Sequence, residues 1–520
     1  MQAKHREARD YLSELVSGAV SKSAFIAAWA AALVAHGYRW ANAMYSHDSL
    51  LIVETDTAHK IILGRYLQPL WWAIRGKIVP PYLVGLIGTL FLAAACVLIV
   101  RRLGIKSRAL AALSSGVLST CSVLTLTNAT YVHEYDVMML SLLLACAAAC
   151  TVVEGWRGVA LSSLLAALSA AFYQPFLEVA ATLMVASLLL SCLDGWDPMR
   201  VVRRGVGCLA ALGAGVILYY LGYKVAMWLT GTVSSGAYNS VSSAGLPDDS
   251  LLSSLKNCLF MPFAYLSSPE THFQLVCGVA YLILIISTVV CVIWSLSSNR
   301  ASRGITLLSL AFLLVLPFAM NFEYLVTAGT MHGLMIFSFY LVVPIALAVY
   351  ERATGRLHTR SLRMVTYPVV CVLLGGLVFC NVVYANDVYV KKHLEEQSTL
   401  SLVTRLAMQM DTTEGYVPGK TPVVFIGKLG VNKLVTGARS GFGGASKGQL
   451  YRTGLWNDVA ITGTGPLSQY FAYVLGEPLK VDWQASSDEG ALKVKELGLS
   501  PFPSEDSCAL FEGKLYVLLS

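Results

Sequence analysis

Charge is what this sequence has least of. Only 13% of its 520 residues are Asp, Glu, Lys or Arg, about half the share of a soluble domain, and 56% are hydrophobic. That excludes an ordinary soluble enzyme and points to a polytopic membrane protein. Ligand motifs are missing as well. Twelve cysteines are present, yet none shows the Cys-x-x-Cys or Cys/His spacing of a zinc site. Most fall in apolar runs, where they read as small buried hydrophobes. Cys258 and Cys508 fall outside those runs. They could pair in an oxidising compartment if their Cα atoms came within about 4.4–6.8 Å. No nucleotide fingerprint is found: Gly441-Phe-Gly-Gly444 follows no identifiable strand and opens no helix. No cleavable signal is visible, so the first apolar run reads as a retained span. The net charge of +7 does not call for nucleic acid, because basic loops of a membrane protein account for it.

What is present is a series of long apolar runs. One crossing needs about 17–25 residues. On that rule eleven spans are expected, near 24–44, 80–100, 109–127, 135–153, 158–173, 176–193, 205–230, 273–296, 304–320, 331–350 and 364–385. The fifth and sixth meet at Tyr173-Gln-Pro175, as a tight hairpin or a broken pair. Arginines and lysines crowd one set of loops, at 1–23, 101–108, 200–204 and 352–363. The opposite loops at 128–134, 173–175 and 321–330 have none. By the positive-inside rule the N-terminal segment is cytoplasmic, and an odd span count puts the C-terminus outside. The sequence therefore predicts a mainly α fold. It is a polytopic membrane helical bundle of about eleven spans over 24–385, with outer loops 45–79 and 231–272. The Ser/Gly-rich second loop reads as mobile or lid-like. A small extracytoplasmic α/β domain is expected over 386–520. In it, an amphipathic helix over 387–410 places Leu394, Leu402 and Leu406 on one side. Strands are expected at 421–426 and 479–483 and as a closing pair at 508–511 and 515–519, with helices at 467–475 and 490–497.

One stretch breaks the outer-face pattern. Between Tyr45 and Trp72 lie three acids (Asp48, Glu54, Asp56), two histidines (His47, His59) and two cations (Lys60, Arg65). Its Leu, Ile and Trp residues suggest helix in the membrane interface. The bland alternative is that its cations, with Arg75 and Lys77, snorkel to lipid phosphates. Other ionisable groups at membrane level also fall near outer ends, and such groups are functional candidates by default. They are His133, Glu134 and Asp136, then Glu178 beside Tyr173 and Gln174, then Lys224, Glu323 and His332. An outer-face carboxylate beside cations suits transfer of a group from a lipid phosphate. The cations would hold the leaving phosphate and the carboxylate would deprotonate the acceptor hydroxyl. A transporter or flippase is the rival reading. It should line a path across the bilayer and often shows internal repeats, whereas these charges gather at one side and no repeat is visible. A glycan polymerase or ligase would favour a large outer loop with several arginines, and loop 231–272 has only Lys256.

The block Tyr45-Ser-His-Asp-Ser-Leu, followed by Leu63-Gly-Arg65-Tyr-Leu-Gln68-Pro-Leu and Arg75-Gly-Lys-Ile-Val-Pro80, resembles the type II Gtr (GtrII) membrane glucosyltransferase family. Thr130–Leu140, Tyr173-Gln174, His332-Gly-Leu-Met335 and the closing Leu499-Ser-Pro-Phe-Pro503 follow in the same order. The resemblance implies a GT-C-like membrane glycosyltransferase of the bacterial inner membrane. It would take a polyprenyl-phosphate-linked sugar, often glucose, and a surface glycan or glycolipid acceptor, with membrane lipids around it. It also implies an essential acid in the first outer loop, which maps onto Asp48, with Glu54 and Asp56 as further catalytic candidates. His47, Arg65, Gln68, His133, Glu134, Tyr173, Gln174, Lys224 and His332 are the substrate-binding candidates, Arg65 and Lys224 on the donor phosphate. The paired consecutive acids of some relatives are absent, because Asp48 stands between His47 and Ser49. One or two acting carboxylates, and a divalent metal, thus stay open. No other cofactor is expected.

Overall fold

The computed structural model describes residues 18–45, 57–152, 155–233, 250–298, 301–327, 331–355, 360–427, 464–483 and 489–519, with positions 241, 245, 247 and 329. Among them, ten helices are long and apolar enough to cross a membrane, and a shorter apolar helix covers 156–172. These eleven coincide with the eleven runs read from sequence.

The first span is α1 (Ala19–Ala41). Ala24, Ala28, Ala32 and Ala35 form a fully buried stripe along it, which lets neighbouring backbones approach closely, as membrane helices require. Two short helices lie between the first span and the second, α2 (Thr57–Ile62) and α3 (Gln68–Arg75). Then come α4 (Pro81–Leu103), α5 (Arg108–Thr120), α6 (Ser122–Thr130) and α7 (Tyr135–Thr151). α4 starts on a proline whose missing N–H costs nothing in the first turn and stops at left-handed Gly104. α1 packs on α4 and α5, and α4 on α7. Extended Cys121 separates α5 from α6 within one crossing. The adjacent Ser122 hydroxyl bonds the Tyr340 and Tyr265 hydroxyls at 2.9 and 2.5 Å, which keeps the break polar but internally satisfied.

α8 (Trp156–Phe172) and α9 (Leu177–Leu193) are joined by one 3-10 turn at Gln174–Phe176, so the tight hairpin is the arrangement found. α9 is buried on nearly every side. α10 (Pro198–Thr230) packs along α8. Next is α11 (Leu251–Ser267), where the sequence suggested only mobile loop. Its Ser254, Cys258, Pro262 and Tyr265 are buried at helical spacing against its neighbours. The small and polar members of that stripe disguised it as loop. α12 (Gln274–Ser298), α13 (Arg303–Met320), α14 (Glu323–Val326) and α15 (Val342–Gly355) complete the bundle.

α16 (Arg360–Asp411) is a single helix of 52 residues. It is the last span and continues unbroken into the tail. Its far end contributes Leu402, Val403, Leu406 and Met410 to a second core with Tyr416, Val423, Phe425, Tyr470 and Phe471. Leu402 and Leu406 are buried as expected, whereas Leu394 is exposed. The tail sheet has order β1-β3-β2, from β1 (Val423–Ile426), β2 (Cys508–Phe511) and β3 (Lys514–Leu518). β1 and β3 are parallel with Val423 opposite Leu515, and β2 and β3 antiparallel with Cys508 opposite Val517. Helices α17 (Thr464–Tyr470) and α18 (Glu489–Glu496) flank it. The run at 479–483 contributes only a bridge from Val481 to Val423. Cys258 and Cys508 are both free thiols; the first is buried in the bundle and donates to the Asn321 carbonyl at 2.9 Å.

Candidate functional site

After the first span, Lys60, Arg65 and Arg75 turn inward. On α2 and α3, Leu70 and Ile74 are exposed while Lys60, Gln68 and Trp72 are buried. An interface segment that snorkelled its cations would show the reverse. The hinge is Gly64, in left-handed geometry with φ 77°. It reverses the chain so that the Arg65 N–H donates to the Lys60 carbonyl at 2.8 Å. That turn brings together two cations that five residues of straight helix would point apart.

Both meet Glu134, in the 3-10 turn that opens α7. Its Oε1 accepts from Lys60 Nζ and its Oε2 from Arg65 Nη1, the latter at 3.1 Å. His133 Nε2 lies 3.8 Å from the same carboxylate. The Arg65 guanidinium also stacks 4.9 Å from the Tyr173 ring centre, and the Lys60 ammonium 5.7 Å from that of Trp72. Burial works against the Arg65 charge, but Glu134 foremost, then Tyr173, Tyr131 and Glu323, hold its pKa above the ordinary value. Arg75 and Asp136 form the adjoining pair, Nε to Oδ2 at 3.5 Å, with both side chains closed to solvent. The Trp71 indole donates to the same oxygen at 2.8 Å. Charges this enclosed persist only when paired and hydrogen-bonded.

A second wall is acidic. Glu178 of α9 accepts from the Glu323 backbone N–H at 2.7 Å and from the Ser338 hydroxyl at 3.3 Å. Burial pushes Glu323 up to about 8, with Arg65 pulling the other way. Its Oε2 is buried without a hydrogen-bond partner among the described residues. Burial first, and Arg65 second, lower the His332 pKa, which favours the neutral imidazole over the charged one.

The sequence-derived candidates divide accordingly. Arg65, His133, Glu134, Tyr173 and His332 share one neighbourhood. Gln68 is buried, its amide donating to the Phe172 carbonyl at 2.9 Å, while its Oε1 has no partner among the described residues. Gln174 donates to the Leu63 carbonyl at 2.6 Å and the Tyr219 hydroxyl at 3.0 Å, so it props the Gly64 turn. Lys224 stands exposed on α10, its ammonium 5.2 Å from the Tyr220 ring centre. His47, Asp48, Glu54 and Asp56 lie outside the described residues. Lys60, Arg75 and Glu323, read from the sequence as ionisable groups near outer ends but not among the catalytic or substrate-binding candidates, also join the site. Their signal was cation density on a face that otherwise avoids cations, and an acid beside a cation-free loop.

Tyr45, the last described residue before the segment carrying Asp48, is fixed from the tail. Its N–H donates to Glu396 of α16 at 3.3 Å, and its ring meets Tyr470 edge-on at 6.3 Å. The Tyr470 hydroxyl donates to the other Glu396 oxygen at 2.7 Å.

Compared with known proteins, residues 37–349 match the family model described as Glucosyl transferase GtrII. Neither a curated protein nor a solved structure matches the chain. The matched region runs from the end of α1 into α15 and includes every described member of the charged cluster.

Proposed function

The chain belongs to the GtrII glucosyltransferase family, and on that premise we propose that it moves glucose from a polyprenyl phosphate to a glycan or glycolipid acceptor. The reaction takes place at the outer face of a bacterial inner membrane, on a GT-C-like bundle, with the N-terminus cytoplasmic and the tail domain outside. One observation carries the reading: Lys60 and Arg65 are drawn onto a single buried carboxylate, Glu134, so the trio keeps one net positive charge. A polyprenyl phosphosugar is a phosphodiester with one negative charge. As the sugar departs, the phosphate gains a second, and fixed cations stabilise charge that develops in this way. Lys60, rather than the exposed Lys224, is the second cation of this mechanism.

The acceptor hydroxyl oxygen bonds to the anomeric carbon while the bond from that carbon to the phosphate oxygen breaks. The electron pair stays on the phosphate, and the hydroxyl proton passes to the Asp48 carboxylate. A single displacement of this kind inverts the anomeric centre. Glu54 and Asp56 are the alternative bases. His332, and the oxygens of Gln68 and Glu323 that have no hydrogen-bond partner among the described residues, are suited to sugar hydroxyls.

The test is incubation of purified protein with polyprenyl-phosphate glucose and a glycolipid acceptor, reading released polyprenyl phosphate. Asp48→Asn should lower the rate by about 10²–10⁴-fold, the usual worth of a general base. Full activity in a folded Asp48→Asn protein would remove Asp48 as the base. No phosphate release by the native protein would remove the donor assignment.

A further inference from the structure

Arg39 carries a charge where its span has no evident need of one. It stands in the last turn of α1 and is 1% exposed. Its acceptors among the described residues are backbone carbonyls. Nε donates to Asn128 at 2.9 Å, Nη1 to Asn42 at 3.2 Å and Nη2 to Met44 at 2.8 Å. Carbonyl dipoles answer a buried charge less fully than a carboxylate does, and an apolar side chain would fill the space at less cost. A task other than stability of the span is legible at Asn128. That residue lies in the last turn of α6, where carbonyls lack a partner further along the helix and the helix dipole favours a cation. Trp40, the next residue of α1, donates its indole N–H to the Asn128 side-chain oxygen at 2.7 Å. Two consecutive residues of α1 therefore grip Asn128, one by its backbone and one by its side chain.

Beyond Asn128 the chain enters the 3-10 turn Val132–Glu134, which ends on the carboxylate of the charged cluster. The far side of that turn is braced as well. Tyr135, the first residue of α7, packs on the Trp40 ring with centroids 6.2 Å apart, and its hydroxyl bonds that of Thr89 at 3.4 Å. On α4, Gly85 makes room for the Trp40 ring and Gly88 for the Tyr135 ring; a Cβ at either position would strike it. The end of α1 thus holds the turn from before and after. Glu134 takes both Lys60 and Arg65, so the place of this turn decides the place of both cations. Where reacting groups must align, displacements near 1 Å cost about 10²-fold in rate.

We propose that Arg39 is a positioning residue for sugar transfer. It acts through the end of α6 to hold Glu134, and with it Lys60 and Arg65, where the donor phosphate is received. This rests on the phosphate role given to that trio above. Purified full-length Arg39→Lys, Arg65→Lys and the double variant are assayed beside the native protein with polyprenyl-phosphate glucose and a glycolipid acceptor, reading released polyprenyl phosphate. A lysine at 39 keeps the charge but cannot span three carbonyls as the guanidinium fork does. Arg39→Lys should lower kcat by about 10²-fold with little change in donor KM. In the Arg65→Lys background the same change should cost about tenfold or less, because one of the cations it positions is already displaced. A merely structural role would lower the folded fraction and multiply the two losses in full. That outcome, or native-like kcat in Arg39→Lys, would overturn the proposal. Trp40→Phe keeps the ring and removes the donor to Asn128. It should show a smaller loss with the same dependence on Arg65, and it decides the question if Arg39→Lys does not fold. Amide hydrogen exchange reads the brace with no donor present. Val132, His133 and Glu134 should exchange faster in both position-39 and position-40 variants than in the native protein, and unchanged exchange at all three would also overturn the proposal. Absence of phosphate release by the native protein removes the donor reading instead, and the exchange result then judges the brace alone.

Discussion

Arg65 touches more of the candidate site than any other described side chain: Glu134 at its tip, the Tyr173 ring against its face, and Glu323 and His332 within its field. A lysine there would keep the charge but lose the planar stack and fork. Arg65→Lys should therefore lower kcat by about 10²–10³-fold, the usual worth of one donor to a developing anion, with a smaller change in KM, by steady-state assay. Glu323 makes a prediction in pH. Its folded pKa, about 8, lies above the ordinary 4.5, so the folded protein holds a proton that the unfolded chain gives up. Its contribution to stability is full below about 4.5 and is lost as pH rises through about 8. Glu323→Gln should flatten that loss, gaining in Tm on the native protein between pH 5 and pH 8.5. An unchanged difference between the two across that window would show that Glu323 is not protonated when folded. The residue types of this site were legible, because ionisable groups in so apolar a chain are few. Their pairing was not. Nothing in the order of residues says that Lys60 and Arg65 choose Glu134 while Arg75 chooses Asp136.

At the scale of elements, the turn at Gly64 decides that pairing. A Cβ at this position would run into the Tyr219 hydroxyl and come within 2.7 Å of the Gln174 amide. The left-handed backbone adds about 1–2 kcal/mol for any L side chain. Gly64→Ala should lower thermal stability and cut kcat more than a distant change of equal destabilisation, because it moves Arg65 against Glu134. The spans themselves were readable because each needs only length and apolarity. α11 was not, because its buried stripe is Ser, Cys, Pro and Tyr. The Gly64 reversal was not readable either: a glycine within a run of Ile and Leu is compatible with helix, and only the packing of Gln174 and Tyr219 selects the turn.

For the whole molecule, α16 matters most. The sequence shows an apolar run and then an amphipathic one, and a change of composition near residue 385 suggests a boundary there. Composition cannot tell a helix that stops at the membrane surface from one that continues through it. Tyr470→Phe would leave Glu396 with one fewer donor, at about 1–3 kcal/mol. It should speed amide exchange at Tyr45 and lower kcat with little change in donor KM. Unchanged exchange at Tyr45 would mean that the tail does not restrain it. The unbroken helix also has a mechanical consequence. Glu396 stands eleven positions beyond Ala385, about 16 Å along the axis. A tilt of roughly 10° about that point would carry the grip on Tyr45 by about 3 Å. Displacements near 1 Å already cost about 10²-fold in rate where reacting groups must align. The tail is thus a lever with Tyr45 tied to its arm. On the proposed orientation, a glycan acceptor leaning on the tail domain would be felt, through one helix, three residues from the proposed base.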